Sequence, residues 1–260
     1  MKESLVSARD LAASRMSNPD WTTSENLVVV AGHAVYTADD FADPLDDDSW
    51  SLQPFQKGEP RFYLEHIRRG VELADDDARS LLVFSGGQTR VAAGPHSEAQ
   101  GYWQLANHFR WWDTGAGARA TTEEFARDSL ENLLFAICRF YECTQAFPTS
   151  VTLVSWAFKR ERFELHRAAL RFPSARFVFS GVNNPADPAA ALAAERTHAL
   201  EPFRRDPYAA HAPLAAKREA RNPFRRVHPY LSSCPPLARL LQHRGPQLFE
   251  GELPWETAGD

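Results

Sequence analysis

The sequence predicts an α/β fold of the doubly wound kind: a mostly parallel sheet with helices on both faces and a C-terminal helical extension. Short, continuous apolar runs of strand length recur through the first two thirds of the chain. Between them lie segments whose apolar residues return every three or four positions. Strand and helix therefore alternate, and such alternation implies parallel strands joined by right-handed crossovers.

The stretch "NLVVVAGHAVY" (Asn26–Tyr36) reads as the first buried strand, because its β-branched run continues until glycine ends it near Gly32. Residues 37–60 are rich in Asp, Pro and Ser without a period, which predicts a long irregular connection able to act as a lid. "RFYLEHIRRGVELA" from Arg61 sets Phe62, Ile67, Val71 and Leu73 near helical spacing, an amphipathic helix. "SLLVFSGG" from Ser80 is a second strand, and "SEAQGYWQLANHF" from Ser97 a second helix whose Ser97 and Gln100 fit a capping box. A third helix carries Ala126, Leu130, Leu133, Leu134, Ile137 and Tyr141 on one stripe, and its start has two readings. Asp128 with Glu131 is one N-cap pair and leaves Glu124 in the preceding loop; Thr121 with Glu124 is the other and makes the acids a solvated face. "SVTLVSWA" from Ser150 is a third strand, "FKRERFELHRAALRF" a fourth helix and "ARFVFSG" a fourth strand. The pattern then changes to Pro-, Ala- and Arg-rich helical pieces. The expected organisation is an N-terminal helical arm over 1–26, an α/β domain over 27–181 and an extension over 182–260 packed on that domain.

With 260 residues and 43% hydrophobic content, the chain can bury a full core. Its longest apolar runs, Leu27–Ala31 and Leu133–Ile137, fall far short of the roughly 20 residues of a membrane span. The first residues mix both charge signs without an apolar secretory core, and three cysteines suit reduced thiols, so a cytoplasmic location is expected. A net charge of −5 exerts no global pull on nucleic acid, and the basic run "KREARNPFRRVH" (Lys217–His228) reads as a helix face; no nucleic-acid partner is expected.

Open parallel sheets bind ligands beyond the carboxyl ends of their strands. Three such ends are visible: Gly32 with His33, Ser85 with Gly86 and Gly87, and Ser155 with Trp156. Glycines there let backbone approach a ligand, and the helix opening at Ser97 would offer N–H groups to an anion; a plain tight turn is the alternative reading of the glycine pair. Lys159, Arg160 and Arg162 crowd the expected first turn of a helix, where cations oppose the dipole and an anion would offset the cost. The chain has no G-x-G-x-x-G, no Walker lysine and no G-x-S-x-G elbow, and "HSE" (His96–Glu98) lacks the P-C-x-x-C of zinc deaminases.

"VVVAGH", "VFSGG", "SEA", "EEFARDSLENLLF" and "SWAFKRERF", in this order, resemble the YdcF, SanA and ElyC family, a widespread domain of unknown function, over Leu27–Gly181. "DPYAAHAPLAAKREARNPF" and "HPYLSSCPP" further resemble the tail of eukaryotic, notably fungal, members. The resemblance implies a Rossmann-like fold with a polar pocket at the carboxyl edge of the sheet. It places the family blocks on Gly86 and Gly87, on Ser97, Glu98 and Ala99, on Glu124, Asp128, Ser129, Glu131 and Asn132, and on Ser155, Phe158, Lys159 and Arg162. Lysine stands at 159 where bacterial members usually have histidine, which removes a histidine base and keeps an anion contact. Bacterial members are linked to envelope integrity, and one to S-adenosylmethionine.

Two functions follow as expectations. In one, an enzyme acts on a small anionic, phosphorylated or nucleotide-like molecule: Gly86, Gly87 and Ser97 cradle the anion, Lys159 and Arg162 neutralise it, and Glu98 or Glu124 moves a proton. Gly32, His33, Ser85, Asp128, Ser129, Asn132 and Ser155 complete the ligand-binding set, and a divalent cation on Glu98, Glu124 and Asp128 is a variant. In the other, the same pocket senses S-adenosylmethionine or another nucleoside without turnover. An interaction scaffold built on the tail is a third reading.

Overall fold

The computed structural model describes residues 20–256, so the expected N-terminal arm lies largely outside the described residues; Asp20–Glu25 form a turn and no helix. Strand β1 (Asn26–Ala31) is followed by a two-residue ribbon, β2 (Val35–Tyr36) paired antiparallel with β3 (Trp50–Ser51). Helix α1 (Pro60–Asp75), β4 (Ser80–Ser85), α2 (Glu98–His108) and β5 (Ala120–Glu123) come next. After them run α3 (Ser129–Thr144), β6 (Ser150–Ser155), α4 (Arg160–Ala169) and β7 (Phe177–Gly181). The extension adds α5 (Pro188–Glu195), α6 (Glu201–Arg205), α7 (Leu214–Ala220), α8 (Tyr230–Ser233) and α9 (Ala238–Leu241).

The central sheet is all parallel in the order β5-β4-β1-β6-β7. Strand β1 sits at its centre, and successive side chains of a strand point to opposite faces. Leu27, Val29 and Ala31 accordingly join the core under α3 and α4, whereas Val28 and Val30 join the core under α1 and α2. Burial on both faces explains why these strands are continuously apolar rather than alternating. The chain winds outward from β1 through β4 to β5, then returns to the other side of β1 for β6 and β7. That reversal makes the gap between the carboxyl ends of β1 and β6 the topological switch point, where a sheet of this kind leaves a crevice.

The structure adds a fifth strand to the four expected. "ATTE" (Ala120–Glu123) is short and polar, and as an edge strand it pairs only with β4. Thr121 therefore lies in a strand and cannot cap a helix; Asp128 is the N-cap, its Oδ1 accepting from Glu131 N at 2.9 Å. The apolar run of Asn26–Tyr36 is broken after Ala31, and Val35–Tyr36 belongs to the ribbon. The connection over 37–60 is anchored rather than loose, since Trp50 is buried against Tyr36, Tyr63 and Tyr102. Phe203, Tyr208, Tyr230 and Trp255 of the extension are buried in the same core as α3. Among the described residues no helix is long and apolar enough to cross a membrane.

Candidate functional site

Three strand ends converge where the topology leaves its crevice. After β1 comes His33, after β4 the Gly86–Gly87 turn leading to Glu98, and after β6 Ser155 and Lys159. His33 Nδ1 lies 3.3 Å from Lys159 Nζ, and His33 Nε2 lies 3.5 Å from Ser155 Oγ. The imidazole packs edge-on against His66 and tilted against Trp156 and Tyr63. Burial, then Lys159, His66 and Arg162, hold His33 well below the usual histidine range, so it is neutral.

Glu98 occupies the centre. A Cβ on Gly32 would lie 2.6 Å from Glu98 Oε2, and one on Gly86 would lie equally close, so the two glycines exist here to admit this carboxyl between neighbouring strand ends. Glu98 is buried and accepts a hydrogen bond from Thr89 Oγ1 at 2.5 Å. Burial raises its pKa, against the opposing pull of Thr89, Arg90, Arg221 and Lys159.

The expected anion cradle on the glycine pair is corrected by the hydrogen bonds. Gly86 N donates to Glu123 O, Gly87 N to Ala126 O, Glu98 N to Gly87 O and Ala99 N to Gly86 O. Ser97 Oγ accepts from Gln100 N at 3.0 Å and donates to Glu124 Oε2 at 3.0 Å. These donors are already spent. The turn shapes the backbone and gives Glu98 room; it does not present N–H groups to a ligand.

Other expected ligand contacts are likewise engaged within the protein. Ser85 Oγ donates to Glu123 Oε2 at 2.7 Å, and Asn132 Nδ2 donates to Ser85 O at 2.7 Å, which ties α3 to β4. Asp128 Oδ2 takes Arg218 Nε at 2.7 Å. Burial raises Asp128, but Arg218 and its hydrogen bond outweigh that and bring it down to about 2. Arg162 is paired with the buried Glu195 at 2.8 Å. Glu124 leans toward β5, accepting from Thr122 Oγ1 at 2.9 Å, while Glu98 turns into the crevice. The divalent-cation variant therefore finds its three carboxylates engaged separately, and among the described residues no three acidic, histidine or cysteine side chains are grouped to hold a metal.

Ser129 Oγ lies 2.7 Å from His166 Nε2, whose Nδ1 is buried without a partner. Placing the ring proton on Nε2 avoids burying an unpaired N–H, so His166 donates to Ser129 and leaves the hydroxyl proton free to donate. Burial, then Arg162, lowers His166 to about 3, and no carboxylate bonds its Nδ1. Ser129 is a hydrogen-bond donor here rather than an activated nucleophile.

Sequence reasoning missed the cations that complete the site. Arg90 and Arg221 act electrostatically on Glu98, and Arg221 also on Lys159 and Arg162. Arg221 Nη1 donates to the Arg127 carbonyl at 3.0 Å. Arg221 comes from the tail's basic run, whose Arg218 and Arg226 also turn inward, toward Asp128 and Glu124. Their spacing along α7 and its C-terminal end was the available signal. Desolvation, then Arg162, brings Lys159 down to about 7. Arg90, Lys159 and Arg221 have no carboxylate within ion-pair distance among the described residues.

The chain is similar to the "Uncharacterized protein YOR238W" of Saccharomyces cerevisiae, at 28% identity over an alignment 266 residues long that takes in 78% of this chain and 86% of the yeast protein. No family model matches the chain, and no solved structure does.

Proposed function

We propose that the chain is a YdcF-like α/β protein that binds a small anionic, phosphorylated or nucleotide-like molecule in the crevice between the ends of β1 and β6, and that it acts on this molecule as an enzyme. The observation that carries the reading is the group of three cations, Arg90, Lys159 and Arg221, that act on the single buried carboxyl of Glu98 while none of them forms a direct ion pair among the described residues. Three cations around one carboxyl leave positive charge in excess, and an anionic guest offsets that excess. Ser129 supplies a neutral donor nearby on α3.

Glu98 gives the site a means of moving a proton. Its raised pKa lets the carboxyl exist in either state nearer neutral pH than an exposed glutamate, and Lys159, near 7, is balanced between its own two states. As the anion enters, its charge favours protonated Lys159, while Glu98 accepts or returns a proton. With water as the nucleophile, Glu98 takes its proton as the new phosphorus–oxygen bond forms and returns it to the leaving oxygen as the old one breaks, giving a hydrolase; a hydroxyl of a second substrate in the place of water gives a transferase.

Titration calorimetry with adenosine monophosphate and inorganic pyrophosphate tests the reading. The wild-type chain is expected to bind at least one of them, and Lys159→Met to lose at least tenfold in affinity. Glu98→Gln should bind as well as wild type and turn nothing over. Equal affinity of the Lys159→Met chain and the wild type for every anion bound would sink the proposal.

A further inference from the structure

We infer a second ligand site, separate from the sheet edge: a cavity of about 580 Å³ between α3 and the C-terminal extension, fitted to an amphipathic anion with a phosphate or carboxylate head and an aliphatic tail. The volume is in the range that organic ligands occupy. Leu130, Leu134 and Phe135 of α3 and Leu240 and Leu241 of α9 contribute apolar lining. The remaining wall is basic, with Arg127, Arg218, Arg225, Arg226 and Arg244 against Glu131 and Glu219. A chain of net charge −5 thus concentrates an excess of positive charge on one cavity.

Part of that charge is committed. Arg127 and Arg218 both pair with Glu131, at 2.6 and 3.1 Å. Arg225 and Arg244 have no carboxylate partner among the described residues, and Arg244 Nη1 meets only the carbonyls of Leu241 and His243. Arg218 Nη2 is buried without an acceptor. The field is felt by His228, tilted against Phe135 with ring centroids 4.7 Å apart, which burial and then Arg127, Arg244 and Arg218 lower to about 4. At the rim, Phe224 and Val227 flank Arg225 and Arg226, and Val227 is 82% exposed. An apolar–basic–basic–apolar stretch beside an apolar lining serves a charged head with a chain attached; an inorganic ion uses half of it and a neutral lipid the other half.

Calorimetry on the full chain tests this with octyl phosphate below its micelle threshold, inorganic phosphate and octanol. Octyl phosphate is expected to bind at least tenfold tighter than either. Replacing Arg225 and Arg244 together by glutamate should weaken it at least tenfold, and Val227→Asp, at an exposed position that the fold tolerates, about threefold or more. Lys159→Met should leave it unchanged, which separates this site from the sheet edge. Sedimentation with phosphatidylcholine vesicles, with and without phosphatidic acid, distinguishes the sources: capture by the acidic vesicles assigns the head to a bilayer lipid, and binding of octyl phosphate alone assigns it to a free metabolite. No binding of octyl phosphate or acidic vesicles, equal affinity for inorganic phosphate, or indifference to both Arg225/Arg244 and Val227 changes overturns the inference, as does loss of octyl phosphate binding in Lys159→Met.

Discussion

Two charged regions lie within a few residues of each other and are built on opposite plans. At the start of α3, every acid has its partner: Asp128 holds Arg218, and Glu131 accepts from Arg127 N, Nε and Nη2. Glu123 accepts from Ser85, Tyr230 and the amides of Phe125 and Ala126. At the ends of β1 and β6, Lys159, Arg90 and Arg221 act on Glu98 without a direct ion pair to any carboxylate among the described residues. A satisfied ion pair needs nothing further and serves the fold. A group with an excess of one sign is retained at a cost in stability, which is the ground on which a guest is proposed there.

The sharpest way to break the contrast is to remove a partner on the satisfied side. Asp128→Ala deletes a helix cap and one of the two carboxylates that pair with buried Arg218, leaving Glu131 at 3.1 Å, so a loss of about 2–4 kcal/mol is expected in chemical denaturation. Gly86→Ala drives a methyl into Glu98 and should cost about 1–3 kcal/mol; shortening Glu98 to alanine in the same chain should restore part of that loss, read as a coupling in a double-mutant cycle. Lys159→Met should move the other way. The folded pKa of Lys159 is depressed, so this residue's contribution to stability grows as pH rises from about 7 toward its ordinary value of 10.5. Its replacement is expected to raise stability at pH 7 and to flatten that rise, measured by denaturation across pH.

The same sign governs binding. Protonated Lys159 attracts an anion, so affinity in the wild-type chain should climb as pH falls through about 7, and calorimetry on Lys159→Met should show a weaker slope. The smallest effect belongs to the surface. Arg68 and Glu72 are paired at 3.0 Å but both well exposed, and Arg68→Ala should change stability by less than about 0.5 kcal/mol.

The buried strands were legible because their two-sided burial leaves a continuous apolar run, and the caps at Ser97 and Asp128 because side chain and spacing alone define them. Strand β5 was not, since an edge position with one neighbour asks little of "ATTE". Of the site, Glu98 and Lys159 could be placed near strand ends from sequence order, yet what they face could not. Arg221 stands 62 residues after Lys159 and meets it only through the fold of the tail. The glycine pair was read as space for a ligand, but Gly86 makes space for the Glu98 side chain and Gly87 for the backbone at 124–126: sequence reports that room is needed, and geometry reports for whom.

The dependence on the tail has a consequence for biosynthesis. A ribosome releases β1, β4 and β6 long before Arg218 and Arg221, and domains begin to condense as they emerge. During that interval Asp128 caps α3 without its arginine, while Glu131 already holds Arg127. Emergence of the tail is then the event that both pairs Asp128 and brings Arg221 to the crevice, so a product ending anywhere before residue 218 lacks both contributions at once.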